Sequence, residues 1–88
     1  MSDSLARRTV EVRVELKPGI FDAEAESITK SLRLLGIPHL GGVSTGRVYT
    51  LLFDGVSPEE ASKLATRAVE ELLANPVIHR VVVGPPTG

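Results

Sequence analysis

From Thr9 to Leu16 the chain alternates strictly, with Val10, Val12, Val14 and Leu16 on one side and Glu11, Arg13 and Glu15 on the other. That period of two predicts a strand with one buried and one wetted face, and its β-branched residues suit a pleated surface. Lys17-Pro18-Gly19 ends it, because proline brings no ladder donor and glycine tolerates turn dihedrals. The period then changes. Ala25, Ile28, Leu32 and Leu35 recur at helical spacing and predict a helix from Asp22 to Leu35. Asp22 is placed to cap it, and Glu24 and Glu26 occupy the first turn, where negative charge suits the helix dipole. Glu26 and Lys30 stand four apart in the favourable order. Gly36 is the expected C-cap, and Pro38 keeps the helix from resuming.

After a loop over Ile37-Pro38-His39-Leu40-Gly41-Gly42 comes the longest β-like run, Val43 to Asp54. Its two alternating sets are both rich in apolar residues: Tyr49, Leu51 and Phe53 on one side, Val48 and Leu52 on the other. Gly46 interrupts the run and reads as a bend within one strand rather than a hairpin, which would leave a first arm too short. Asp54-Gly55 turns the chain. Ser57-Pro58-Glu59-Glu60 then carries Ser at N-cap, Pro at N1 and Glu at N3, with Val56 and Ala61 placed as a hydrophobic staple. The helix it opens is expected to reach Ala74, with Ala61, Leu64, Ala65, Ala68, Val69, Leu72 and Leu73 on a broad apolar face. Asn75-Pro76 stops it, Val77 to Val83 is a third strand, and Gly84 to Gly88 reads as a non-regular tail.

The order β-α-β-α-β predicts an α+β two-layer sandwich: a three-stranded sheet covered on one face by two helices and completed by dimerisation. The whole chain, 1–88, is expected to be one domain, with flexible ends at 1–8 and 84–88. The mid-chain strand is the organising element of this reading, since helices on one face leave its second apolar set uncovered, and such a patch marks an interface. The expected orientation sets Val48 and Leu52 inward, against the helices, and Tyr49, Leu51 and Phe53 toward a partner. Arg47, Tyr49, Leu51, Phe53, His79 and Arg80 are the candidate subunit-interface residues.

Composition narrows the chemistry. Eighty-eight residues with 42% apolar content and a formal charge of −1 make neither a disordered chain nor an electrostatic binder of nucleic acid. Three aromatic residues are too few for a base-stacking platform. There is no cysteine, which excludes disulfides and thiolate metal sites. No window approaches the roughly 18 consecutive apolar residues that span a bilayer, and the first eight residues have no secretory apolar core, so the expected location is cytoplasmic. His39 and His79 are the only side chains that ordinarily titrate near neutrality, and neither belongs to a triad or a metal-ligand spacing. Gly41, Gly42 and Gly46 match no phosphate-binding fingerprint and precede a strand instead of opening a helix. No catalytic, cofactor-binding or metal-ligating residue is expected.

Three stretches carry a family resemblance. Val14-Glu15-Leu16-Lys17-Pro18-Gly19-Ile20-Phe21-Asp22 followed by Leu32 to Gly36, the pair Gly46-Arg47, and Leu72-Leu73-Ala74-Asn75-Pro76-Val77-Ile78 together resemble the PurS family, the small subunit of phosphoribosylformylglycinamidine synthase. The likeness spans about residues 9 to 83. Ala23 and Ala25 stand where the family usually has proline and glycine, and Gly84-Pro85-Pro86-Thr87-Gly88 is not a family motif. The resemblance implies a non-catalytic subunit that works as a homodimer or dimer of dimers. Its implied partners are the synthetase PurL and the glutaminase PurQ, which it bridges so that ammonia from glutamine reaches the ATP-dependent conversion of FGAR to FGAM. It further implies that this chain binds no cofactor and that ATP and Mg belong to PurL.

Two other readings stand beside it. A ligand-sensing module of the ACT type would require the mid-chain run to split into a hairpin at Gly46. An independent small enzyme would have only His39 and His79 to work with.

Overall fold

A computed structural model of the chain describes residues 6–88; residues 1–5 of the expected flexible start lie outside them. Three antiparallel strands and two helices follow in the expected order: β1 (Arg8–Leu16), α1 (Ala23–Leu34), β2 (Gly46–Phe53), α2 (Pro58–Ala68), a π-helical turn (Val69–Leu73) and β3 (His79–Val83). The sheet order is β2-β1-β3. The mid-chain strand is therefore not the organiser that the sequence suggested. It is an edge, and β1 pairs on both sides, with Val12 opposite Tyr49 in β2 and Val83 in β3.

The local signals at the helix ends act as their chemistry dictates. Asp22 Oδ1 accepts the Ala25 N–H at 3.0 Å, and Ser57 Oγ accepts the Glu60 N–H at 3.2 Å. At the far end of α1 the Gly36 N–H donates to Arg33 O and the Ile37 N–H to Leu32 O, a Schellman pair. It requires a left-handed residue at Gly36, whose φ is 81°. The second helix departs from expectation. Its last turn widens into the π form, closed by Ala74 N–H donating to Val69 O, and such turns often sit at functional positions.

Gly46 is neither a bend within a strand nor a hairpin tip. It opens β2 opposite Glu15, and a Cβ there would lie 3.0 Å from Glu15 Cγ and 3.2 Å from Val14 O. Glycine lets the incoming chain approach β1 closely. The tail is also more ordered than its composition suggests: Gly84 N–H donates to Glu11 O, while Thr87 and Thr9 exchange both backbone hydrogen bonds. Those bonds continue the β3 side of β1 past the two prolines.

The core is small. Val10, Val12 and Val14 of β1 meet Ala61 and Ala65 of α2, and Tyr49, Leu51, Phe53, Val56, Val69, Ala74 and Val81 pack around them. Small alanines let α2 lie close on the valine row. By contrast α1 makes only sparse contact with the strands and with α2 among the described residues. The chain accordingly measures 57 × 27 × 14 Å, with a radius of gyration of 17.3 Å, against about 12 Å for a compact domain of this length.

Candidate functional site: a sheet left open on two sides

The pairing fixes which residues share a face. On the helix side Val10 lies beside Leu51, Val12 beside Tyr49 and Val83, Val14 beside Arg47 and Val81, and Leu16 beside His79. On the other side Thr9 meets Leu52, Glu11 meets Thr50, Arg13 lies between Val48 and Val82, and Glu15 lies between Gly46 and Arg80. The expected orientation of β2 is thus reversed. Tyr49, Leu51 and Phe53 pack against the core, whereas Val48, Leu52 and Val82 are 55%, 54% and 54% exposed. Area decides it: a tyrosine, a leucine and a phenylalanine offer more apolar surface for burial than a valine and a leucine.

Two uncovered surfaces result. On the helix side α2 packs through Ala61 and Ala65 on the row Val10, Val12 and Val14 and leaves the Leu16 end of β1 less covered. Beside it lies a cleft of 370 Å³ lined by Val14, Leu16, Arg47, Tyr49 and His79 of the sheet, Leu73 of the π-helical turn and Glu24 of α1. The Arg47 side chain makes no hydrogen bond or ion pair among the described residues. The opposite, open face of the sheet mixes the three exposed apolar residues with Glu11, Arg13, Glu15 and Arg80, the last bonded to Glu15 Oε1 at 3.3 Å.

The six candidate interface residues therefore separate. Arg47, Tyr49 and His79 come together at the cleft; Leu51 and Phe53 lie under α2; Arg80 is on the open face. His79 is held firmly. Its Nδ1 accepts the Asn75 N–H at 2.8 Å, so the proton of the neutral ring sits on Nε2. Asn75 Oδ1 takes the Val77 N–H and Lys17 Nζ donates to Pro76 O at 2.6 Å, tying the turn before β3 to the end of β1. His39 is elsewhere, on the exposed 37–42 loop, with a left-handed φ of 64°.

At the first turn of α1, Asp22 accepts from Ala25 N–H and from the Thr45 hydroxyl, which donates to Oδ2 at 2.5 Å. The Ala25 amide first, and the Thr45 hydroxyl second, hold the Asp22 carboxyl below its ordinary value. This links the start of α1 to the chain entering β2. Among the described residues no group of three or more His, Asp or Glu is placed to hold a metal ion, and no helix is long and apolar enough to cross a membrane.

Comparison with known proteins decides the family. The sequence model described as PurS, phosphoribosylformylglycinamidine (FGAM) synthase, matches residues 9–84. The chain belongs to the PurS family. It is 43% identical over 70 residues to the PurS subunit of FGAM synthase from Archaeoglobus fulgidus, an alignment covering 80% of this chain and 88% of that one. It is 39% identical over 70 residues to the PurS subunit from Methanothermobacter thermautotrophicus, covering 80% and 82%. The purS subunit structure from Thermotoga maritima superposes with a TM-score of 0.83 at 27% identity, covering 92% of this chain and 93% of that one. PurS from Thermus thermophilus gives 0.82 at 29%, covering 93% and 96%. Membership makes this a PurS-type subunit of the FGAM synthase of purine biosynthesis, with the three-stranded, two-helix fold of the PurS structures. The order of matched motifs carried that family signal in the sequence; the exposed set Val48, Leu52 and Val82 was not found there.

Proposed function

We propose that this chain is the non-catalytic assembly subunit of FGAM synthase, bridging the PurL synthetase and the PurQ glutaminase. In this reading it helps keep ammonia released from glutamine on a protected route to the ATP-dependent conversion of FGAR to FGAM. The supporting observation is a sheet left uncovered on two sides, with exposed Val48, Leu52 and Val82 on one and the cleft over Val14, Leu16 and Tyr49 on the other. A subunit with two such surfaces is suited to touch two neighbours. ATP and Mg are bound by PurL and no cofactor by this chain, the isolated chain has no activity of its own, and the complex works in the cytoplasm. The protomer also self-associates, as a homodimer or a dimer of dimers, since 88 residues with so small a core gain most by burying apolar surface against another copy.

The test is reconstitution. Glutamine-dependent FGAM formation by PurL and PurQ is expected to require this chain, whereas turnover on added ammonium salt depends on it much less. Full glutamine-dependent turnover without the chain would overturn the proposal. Specific micromolar binding of an amino acid or nucleotide to the isolated chain would instead favour a ligand-sensing module.

A further inference from the structure

Besides its two open faces the sheet has an open edge along β3. In an antiparallel ladder successive residues send their N–H and C=O groups to opposite sides. Lys17 N–H donates to Ile78 O and Gly84 N–H to Glu11 O, so Arg80 and Val82 turn toward β1 while His79, Val81 and Val83 turn away from it. β3 has no strand on that outer side. The His79 N–H is taken by Asn75 O at 2.8 Å, but the backbone groups of Val81 and Val83 have no hydrogen-bond partner among the described residues. The turn at Asn75 closes one end of this window, and Pro85-Pro86, which carry no N–H, close the other. Nothing guards the middle. The strand's one full charge, Arg80, lies on the open face, bonded to Glu15, and an edge without lysine or proline is a template for further pairing.

A groove of 480 Å³ runs beside those groups, between β3 and the π-helical turn. Val69, Ala74, Pro76 and Val81 give it an apolar lining, and Lys17 and Glu70 add one charge of each sign. Val69 and Ala74 are the two residues joined by the π-type hydrogen bond, so the widened turn builds this wall. Val81 and Val83 carry their side chains on the helix side, level with Val14 and Val12. A strand laid against β3 therefore puts every second side chain on the groove.

The edge and the groove together specify one occupant. Free N–H and C=O pairs two residues apart recur about every 6.8 Å, the repeat of an extended backbone. A helix satisfies its own backbone groups and has none to offer along its side. Pairing with β3 of a second copy would set two π-helical turns face to face over the joined edge, whereas a single strand brings no helix with it. The two rim charges offset each other, which favours an uncharged, apolar segment.

We infer that the β3 edge is a strand-addition site: it takes an extended segment of another protein, antiparallel, with apolar residues at alternate positions seated between Val81 and the π-helical turn. Main-chain hydrogen bonds to Val81 and Val83 give affinity, and the groove selects the alternate side chains. The inference rests on the fold alone, so it stands or falls separately from the proposed function.

The probe is an end-blocked, fluorescent peptide of alternating valine and threonine, read by anisotropy against the full chain. Its valines are expected to enter the groove, which turns their amides toward β3 and the threonine amides to solvent. N-methylation of the valine amides is expected to weaken binding at least tenfold, and N-methylation of the threonine amides to leave it unchanged. Val83→Pro removes an outward N–H that the fold does not use, so it is expected to weaken binding at least tenfold with an unchanged circular dichroism spectrum. Thr50→Pro, at the outward N–H of the β2 edge by the same alternation, is expected to leave binding intact. No binding at millimolar peptide, equal loss from both methylation patterns, or loss through Thr50→Pro but not Val83→Pro would each overturn the site. So would a Val83→Pro chain that binds the peptide fully but falls to a smaller oligomer on sizing, which gives the edge to a second copy. Should Val83→Pro fail to fold, the methylation contrast decides.

Discussion

The two helices have equally good ends and opposite fates. Asp22 caps α1 and Ser57 caps α2, each through the backbone amide three residues on. Yet α2 buries Ala61 and Ala65 completely against β1, while α1 leaves Leu34 and Leu35 at 89% and 76% exposure. Caps and periodicity stabilise a helix but do not say what it packs on. α2 is bound by short turns on both sides to strands of its own sheet. α1 leaves β1 through Pro18-Gly19 and returns through a loop with no strand until Gly46, which frees it to project.

The sharpest break in this comparison is a charge placed under each helix. Ala65→Glu buries an uncompensated carboxylate against Val10 and Val12 and is expected to cost about 3 kcal/mol or more, enough to unfold so small a domain. Glutamate at Leu34, already open to water, is expected to change chemical stability by less than about 0.5 kcal/mol. Urea unfolding of both variants checks the contrast. Next in size, Val12→Ala removes two methyl groups from the fully buried row and should cost about 2 kcal/mol, with the denaturation midpoint falling at unchanged slope.

The caps sharpen it further. Ser57→Ala is expected to cost about 1 kcal/mol. Asp22→Asn should reveal itself in acid. The folded carboxyl titrates below its ordinary 3.8, so its stabilisation is full above that value and is lost as pH falls through the lower, folded one. The substitution should flatten the acid limb of stability in that window; an unchanged limb would mean that Asp22 contributes nothing to it. Smallest is the ion pair of Arg7 Nε with Asp54 Oδ1 at 2.7 Å, well exposed on both sides. Arg7→Ala is expected to shift stability by less than about 0.5 kcal/mol, and less again at high salt.

The sequence made the helix boundaries and the phase of β1 readable because each rests on local chemistry: Asp22, Gly36, Ser57-Pro58 and the alternation from Val10 to Val14. The phase of β2 was not readable in the same way, because both its faces are apolar and the choice depends on pairing with β1. The bulk of Tyr49 and Phe53 was the available clue. Nor does any local residue announce that α2 ends in a π turn, or that Thr87 pairs with Thr9; both depend on how the chain is drawn back to a strand begun near its start. At the site, the sequence picked out Arg47, Tyr49 and His79, which meet at the cleft. It also grouped Leu51, Phe53 and Arg80 with them; Leu51 and Phe53 pack on the core instead, and Arg80 lies on the open face because strand neighbours His79 and Arg80 face opposite ways.

The position of β1 has a kinetic side. The first strand made is the middle one, and Val12 waits for Tyr49, thirty-seven residues later, and Val83, seventy-one residues later. Closing such long loops precedes any stabilising contact, so this small domain has the slow topology of non-local pairing. While the chain is being synthesised, Val12 and Val14 have no β3 partner until His79–Val83 has emerged from the ribosome. The sheet is thereby closed by its last strand in chain order, and a copy truncated before His79 lacks the strand that covers β1's second edge.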